Sequence, residues 1–194
     1  VIAMEMMKHM DASAILREGP GAGPVKTKRG SGCRFCAAPL ETTFVDLGMS
    51  PLCQTHITEA QLGEMEPFYP LHAYVCATCL LVQLQEFVTP QAIFSEYAYF
   101  SSYSSSWVEH ARRYVEMATG RFGLDSSSRV VEIASNDGYL LQHFTARKIP
   151  VLGVEPAGNV AAAALNRGIP TEIAFFGRAT AERIAADHGQ ADLL

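Results

Sequence analysis

The segment Val130–Leu141 constrains the fold of this chain more than any other stretch. An apolar run, Val130–Ile133, gives way to small and turn-forming residues, and apolar residues then resume at helical spacing in Tyr139–Leu141 and Phe144. This order predicts a strand, a tight turn and the start of a helix, which together open a βαβ unit. Such a turn places backbone N–H groups and the positive end of a helix at the carboxyl edge of a sheet. We therefore expect a nucleotide-like cofactor to bind there.

The residues of this turn indicate which class of cofactor it binds. The dinucleotide turn of oxidoreductases has the pattern Gly-x-Gly-x-x-Gly, which is absent here. Instead an acidic residue, Glu132, precedes Ala134, Asn136 and Gly138 at alternate positions. Asn136 is a tolerable replacement for glycine because Asn adopts left-handed backbone more readily than other residues with a Cβ, whereas Ala134 leaves the backbone less room. An NAD(P)-dependent enzyme with a degenerate glycine turn is therefore the weaker alternative.

A second acidic residue supports a cofactor site. Pro150–Val154 predicts another buried strand, which is followed by Glu155 and Pro156. An acid at the end of the second strand of such a unit is placed to bond the ribose hydroxyls of an adenosine. Glu132 and Glu155 could instead be ordinary strand-end carboxylates. The cofactor interpretation is favoured because the turn, the helix and the second acid agree in register.

Four of the five cysteines pair by spacing into two Cys-x-x-Cys motifs. Each such turn presents two thiolates to one ion, so two of them predict a tetrahedral structural zinc site with no open position for chemistry. The interval between the motifs is longer than in a compact zinc ribbon, and Thr43–Leu47 and His72–Val75 look like strands within it. Two disulfides or a redox pair are weaker alternatives. The predicted ligands are Cys33, Cys36, Cys76 and Cys79.

The remaining candidate ligands of this region are interpreted as ordinary residues. Cys53 is left over, and a lone buried cysteine is more often a small hydrophobe than a fifth ligand or nucleophile. His56 and His72 could replace a cysteine ligand, but ordinary surface or core histidines are the better interpretation.

Charge and composition exclude several partners. The chain is 48% hydrophobic with a net charge of -5, which is typical of a soluble globular protein. From 31 to 87 the only Lys or Arg is Arg34, against six acidic residues, so nucleic acid is disfavoured. No apolar run approaches the length of a bilayer span, and residues 1–30 lack a secretory h-region. We expect no membrane partner and a cytoplasmic location.

Hydroxyl and aromatic side chains crowd the segment Phe94–Trp107, which precedes a predicted helix. Ser106–Glu109 fits a capping box, and the helix has an apolar face of Trp107, Ala111, Tyr114, Val115 and Ala118. The segment could be plain solvent-facing structure. It could equally form a pocket with aromatic walls and neutral donors, suited to a sugar ring or a cofactor. The residues concerned are Tyr97, Tyr99, Tyr103, Ser101 and Ser102.

Taken together and in order, these motifs resemble one family. The set is Cys33-x-x-Cys36, Pro51-Leu52, Cys76-x-x-Cys79, Tyr97-x-Tyr99-x-Ser101-Ser102 and Glu132–Tyr139. It is similar to the sugar C-methyltransferases that use S-adenosylmethionine (SAM) to modify nucleotide-linked 4-keto-6-deoxyhexoses. The turn resembles motif I of class I SAM methyltransferases, Asp/Glu-x-Gly-x-Gly-x-Gly, with two glycines replaced. The likeness runs from Gly32 to the end.

The resemblance implies a zinc module, a central SAM-binding domain and a C-terminal domain that completes the sugar-nucleotide site. A proton next to the ketone is removed, and the methyl group goes to the enolate carbon. A tyrosine of the Tyr97/Tyr99 pair lines the sugar pocket and assists proton transfer, while the main base lies beyond Leu194. The implied cofactor-binding residues are Glu132, Ala134, Ser135, Asn136, Asp137, Gly138, Tyr139, Glu155, Pro156, Ser101 and Ser102.

The expected organisation is a flexible arm (1–30), a zinc-binding module (31–87), a Tyr/Ser-rich loop with a connector helix (88–124), and the first half of a doubly wound α/β SAM-binding domain (125–194). Within the last part we predict a helix Ala157–Arg167, a third strand Glu172–Phe176, a helix Thr180–His188 and a fourth strand Ala191–Leu194. We expect the chain alone to be a poor catalyst. A noncatalytic zinc module joined to a ligand-binding half-domain is the main alternative, and oligomeric state is not predicted.

Overall fold

The computed structural model describes residues 32–194, so the predicted arm of residues 1–30 lies outside the described residues. The chain forms two compact units, the first ending at Ile93 and the second beginning at Phe94. Among the helices of residues 32–194, none combines the length and apolarity needed to cross a bilayer.

The first unit is built on an antiparallel sheet of three strands. Its order is β1 (Thr42–Ser50), β2 (Tyr69–Val75) and β3 (Val82–Leu84). Both predicted strands are confirmed, because Thr43–Leu47 lies inside β1 and His72–Val75 lies inside β2. The short connection from β2 to β3 brings the second cysteine motif back to the sheet.

The described part of the first unit has almost no conventional core. Within residues 32–93, only Cys33, Cys76 and Gln83 are buried. A sheet of this size therefore lacks the apolar burial that normally stabilises a small domain, and a metal ion is a common substitute for it.

The second unit contains a parallel sheet. Its order is β4 (Val130–Ile133), β5 (Val151–Val154) and β6 (Thr171–Glu172). Leu193 forms a parallel bridge to Val130, on the edge of β4 that faces away from β5. The chain thus reverses direction across the sheet at β4, which is the switch point where ligands bind in open α/β sheets.

Helices of the second unit pack on both faces of this sheet. One apolar cluster includes Val115, Phe144 and Ile169, and a second on the opposite face includes Leu152 and Ile184. The alternation of Val130 and Val131 between the two clusters follows from the strand geometry. Before these helices come a 3₁₀ turn (Glu59–Gln61) in the first unit and α1 (Pro90–Phe94), which ends at the unit boundary. The second unit contains a 3₁₀ turn (Ser101–Tyr103), α2 (Ser105–Phe122), α3 (Leu141–Thr145), α4 (Gly158–Asn166) and α5 (Arg178–His188).

The predicted connector helix is confirmed as α2, but its predicted cap is wrong by two residues. The N-cap is Ser104, whose Oγ accepts a hydrogen bond from the Trp107 N–H at 3.3 Å. Ser106 lies inside the helix, and Glu109 pairs with Arg112 on the helix surface instead of reaching back. Of the predicted apolar face, Ala111, Val115 and Ala118 are buried, while Trp107 and Tyr114 are partly exposed.

Two predicted elements of the α/β unit are shorter than expected. The helix after the turn begins at Leu141 rather than Tyr139 and ends within five residues, before the left-handed Lys148. The third strand covers only Thr171–Glu172 instead of Glu172–Phe176. Ala174 and Phe176 leave the ladder because they pack against the apolar cluster beneath α5.

The two later predictions are largely confirmed. Helix α4 ends one residue before the predicted Arg167, and α5 begins at Arg178 instead of Thr180. Of the predicted fourth strand, only the bridge at Leu193 is present. The described residues thus form a mixed α/β chain with two small sheets.

Candidate functional site

The two Cys-x-x-Cys motifs adopt the same local backbone. In each motif the residue after the second cysteine donates its N–H to the carbonyl of the first cysteine. The two bonds are Ala37 to Cys33 at 2.8 Å and Leu80 to Cys76 at 2.9 Å. Both residues have left-handed backbone, with φ of 61° and 64°. This conformation is uncommon for residues with a Cβ. Each turn therefore holds its two thiols on the same side.

The structure brings the four predicted cysteines together. Their Sγ atoms all lie within 4.8 Å of one another, with 3.5 Å from Cys33 to Cys79 and from Cys36 to Cys76. A tetrahedral zinc ion with Zn–S bonds of about 2.3 Å needs sulfurs roughly 3.8 Å apart. The cluster therefore fits zinc with little adjustment.

Neighbouring candidates stay outside this cluster. Cys53 is exposed, and His72 uses its ring nitrogens on Thr43 at 2.9 Å and Tyr74 at 3.2 Å. Among the residues the structure describes, the four cysteines are the one group arranged to hold a metal ion. A set of four thiolates favours a soft or borderline metal such as zinc.

Gln83 supports the cluster and was not predicted. Its side chain is buried, donates to Cys33 Sγ at 3.1 Å and accepts from the Arg34 N–H at 3.0 Å. Burial raises the pKa of the Cys33 thiol, but hydrogen bonds from the backbone of Cys36 and from Gln83 outweigh it and lower the pKa to about 6. The sequence signal that could have predicted this role is that Gln83 is a polar residue within the otherwise apolar run 80–84.

The turn after β4 has left-handed backbone at every position where motif I has a glycine. The φ angles are 57° at Ala134, 51° at Asn136 and 77° at Gly138. The expectation for Asn136 is confirmed, and Ala134 adopts the same conformation despite its Cβ. Left-handed backbone costs a residue with a Cβ about 1–2 kcal/mol, so the turn holds strain that its surroundings must offset.

Replacing Gly138 with alanine should destabilise the second unit. A Cβ there would lie 2.4 Å from Ile169 Cδ1, and left-handed backbone adds about 1–2 kcal/mol. Gly158→Ala is the matched control, because a Cβ at Gly158 meets nothing within 4 Å. Denaturant unfolding followed by the fluorescence of Trp107, the single tryptophan, measures both variants. Equal midpoints for the two variants would contradict the prediction.

Glu155 links the two βα turns of the unit. Its side chain is buried, with Oε2 accepting from the Asn136 N–H and Oε1 from the Ala157 N–H, each at 2.9 Å. Pro156 follows it directly at the end of β5. A ribose bound here would use the remaining lone pairs of a carboxylate that the backbone already holds in place.

Several buried oxygens of the turn have no hydrogen-bond partner. Within residues 32–194 there are four such side-chain oxygens, and three belong to this turn or to the end of β4 before it, the other being Thr119 Oγ1. Burying an unsatisfied polar atom costs about 1–3 kcal/mol, so the turn is suited to a ligand that supplies donors. Burial raises the pKa of the Glu132 carboxyl to about 8, and the nearby charge of Glu155 adds to the shift. The three atoms are Glu132 Oε2, Ser135 Oγ and Asp137 Oδ1.

The predicted serines and tyrosines lie next to the turn. The N–H of Ser101 donates to Asn136 Oδ1 at 2.9 Å, and the N–H of Ser102 donates to Asp137 Oδ2 at 3.3 Å. Tyr99 is 46% exposed and Tyr97 is half-buried. These contacts occupy backbone groups of the segment and leave the phenols available.

The aromatic side chains around the turn fall into two groups. Tyr139 stacks on Trp107 with ring centroids 6.1 Å apart, so the tryptophan reports on the turn. Tyr103 is 80% exposed and stacks on Phe100, so it contributes no wall to the turn.

Comparison with known proteins shows a similarity to one class of enzyme. Residues 33–94 match the model of the zinc binding domain family Methyltransf_13. Over 162 residues, 84% of this chain, the sequence is 34% identical to the C-methyltransferase NovU of Streptomyces niveus. The chain is therefore similar to part of a C-methyltransferase.

The match extends beyond the zinc-binding domain. Because 162 residues exceed the length of either unit, this methyltransferase relative shares both units with the chain. The chain spans 39% of the length of that relative.

Proposed function

We propose that these residues form the zinc-binding and SAM-binding parts of a C-methyltransferase that acts on a nucleotide-linked keto-deoxysugar in deoxysugar biosynthesis. The observation that carries the proposal is the turn after Glu132, with left-handed backbone at Ala134, Asn136 and Gly138 at the switch point of a parallel sheet. The sequence similarity to a C-methyltransferase supports the same class of reaction.

The cofactor would be held by the turn and by the acid of the second strand. Glu132, Ser135 and Asp137 have oxygens without hydrogen-bond partners, and Glu155 is proposed to bind the ribose hydroxyls of an adenosine. SAM supplies an electrophilic methyl group when bound. The protein's own contribution is to orient the cofactor and to exclude water around it.

Tyr97 and Tyr99 are proposed to serve the sugar side of the reaction. A phenol O–H is a hydrogen-bond donor, so these side chains are proposed to assist proton transfer by donating to the developing enolate oxygen. The main base is proposed to lie in the part of a C-methyltransferase that corresponds to the relative's length outside the 39% that this chain spans. The four-thiolate site has no open position and is proposed to be structural. Thiolate ligands fit a reducing compartment such as the cytoplasm.

Titration calorimetry on the full-length protein tests this assignment. We expect SAM to bind at micromolar concentrations and NADH not to bind, with a change in Trp107 fluorescence on SAM addition because Tyr139 stacks on that ring. Mass spectrometry of the reaction with a keto-deoxysugar nucleotide should show the mass of one added methyl group. Binding of NADH in place of SAM would support the nicotinamide alternative. Zinc without binding of either cofactor would support a noncatalytic module.

A further inference from the structure

We propose that Asn136 and Asn159 are positioning residues that fix the segment Tyr97–Ser102, called here the tyrosine-serine segment, in one arrangement at the carboxyl edge of the parallel sheet. The proposed function is assumed only for the ligand used in the kinetic test. Neither asparagine was predicted from sequence to have this role. Both act through hydrogen bonds to the backbone of the segment.

Asn159 lies in the first turn of α4 and binds both backbone polar groups of one residue. Its Oδ1 accepts from the Tyr97 N–H at 3.0 Å, and its Nδ2 donates to the Tyr97 carbonyl at 2.7 Å. Next to it, the N–H of Gly158 donates to the carbonyl of Ser95 at 3.1 Å. The carboxamide thus pairs with Tyr97 as a neighbouring strand would.

Asn136 makes the equivalent contact from the other turn. Its Nδ2 donates to the Tyr99 carbonyl at 3.0 Å and its Oδ1 accepts from the Ser101 N–H at 2.9 Å. The backbone N–H of Asn136 is fixed in turn by Glu155. Glycine at this position would keep the left-handed backbone but could not make either side-chain contact.

Asp137 and Arg167 close the far end of the segment. Asp137 is fully buried, and its Oδ2 accepts from both the N–H and the hydroxyl of Ser102. Arg167 donates to the same carboxylate at 3.3 Å and to the Ser102 Oγ at 3.0 Å. Within residues 95–102 only Ser101 is buried, so these polar contacts, rather than apolar packing, hold the segment.

Fixing the segment matters for the two phenols that it carries. A side chain held in place before the substrate binds loses less conformational entropy in the complex. Tyr97 and Tyr99 are adjacent to the two backbone contacts, so loosening either contact increases the range of positions of one phenol. The expected result is a lower kcat/KM for the sugar substrate.

Amide hydrogen exchange measured by NMR tests the contacts directly. In Asn159→Leu the Tyr97 amide should exchange about five- to tenfold faster, and in Asn136→Gly the Ser101 amide should do the same, as expected for the loss of one hydrogen bond. Asn166→Leu, an exposed position on the same helix, is the matched control and should leave both amides unchanged. Unchanged exchange at Tyr97 and Ser101 in the two test variants would overturn the proposal.

Kinetics of the full-length enzyme test the consequence. We expect Asn159→Leu to lower kcat/KM for the keto-sugar nucleotide at least tenfold while KM for SAM changes less than twofold. Asn159→Asp keeps the acceptor for the Tyr97 N–H and should recover part of the loss, which also covers the case in which the leucine variant misfolds. An unchanged sugar kcat/KM, or equal losses for both substrates, would overturn the positioning role. A wild-type enzyme that methylates no keto-sugar would refute the proposed function, and the exchange data would still decide the positioning role.

Discussion

Replacing Cys76 with serine should abolish zinc binding and unfold the first unit. Cys76 is one of only three buried residues in the range 32–93 and lies 3.5 Å, sulfur to sulfur, from Cys36. Zinc sites of this kind contribute about 10–16 kcal/mol of folding free energy, far more than the small sheet can replace. Elemental analysis should give about one zinc ion per wild-type chain and less than a tenth of an ion in the variant. Far-UV circular dichroism should show loss of the β signal.

Cys53→Ser is the matched control for this experiment. Cys53 is exposed and lies outside the cluster, so its loss should change neither the zinc content nor the spectrum. Chelation of the wild-type protein should reproduce the effect of Cys76→Ser. Less than half an ion in freshly purified wild-type protein would show that the four-thiolate assignment is wrong.

Replacing Glu132 with glutamine should stabilise the second unit at alkaline pH and have little effect at acidic pH. Burial, with help from Glu155, raises the folded-state pKa of Glu132 to about 8, against about 4.3 in an unfolded chain. Between these values the folded state keeps a proton that the unfolded state releases. The free energy of unfolding therefore falls as the pH rises through this window, and the contribution is fully present only below the unfolded pKa.

Glutamine cannot ionise, so in Glu132→Gln the free energy of unfolding should no longer fall for this reason as the pH rises. The gain over wild type should be small near pH ~5 and reach the order of a few kcal/mol near pH ~9. Denaturant titrations monitored by Trp107 fluorescence report on the second unit. Asp187→Asn, an exposed position on α5, corrects for the loss of one carboxylate. A gain that is the same at both pH values would refute the assigned cause.

The parts of the site that were predicted from sequence depend on local spacing. Two thiols three positions apart must share a turn, and the alternate positions Ala134, Asn136 and Gly138 reflect the left-handed backbone of a single turn. The burial of Ala111 and Val115 likewise follows from helical periodicity. Each of these features is fixed by residues close together in the chain.

The features that were missed depend on contacts between distant residues. Gln83 reaches Cys33, and Asn159 reaches Tyr97, across many intervening positions. The predicted third strand was too long. Ala174 and Phe176 are apolar because they pack under α5 and not because they belong to a strand. A polar residue on a helix or strand gives no sign in the sequence of which distant backbone it binds.

The shared backbone of the two cysteine turns bears on how the first unit assembles. Each turn closes on itself through the left-handed Ala37 or Leu80, without help from the other. Each cysteine turn is therefore already in the conformation that binds an ion. The remaining entropic cost is that of bringing the two turns together, and this cost grows only slowly with the length of the loop between them. Insertions in this loop should be tolerated far better than changes within either cysteine turn.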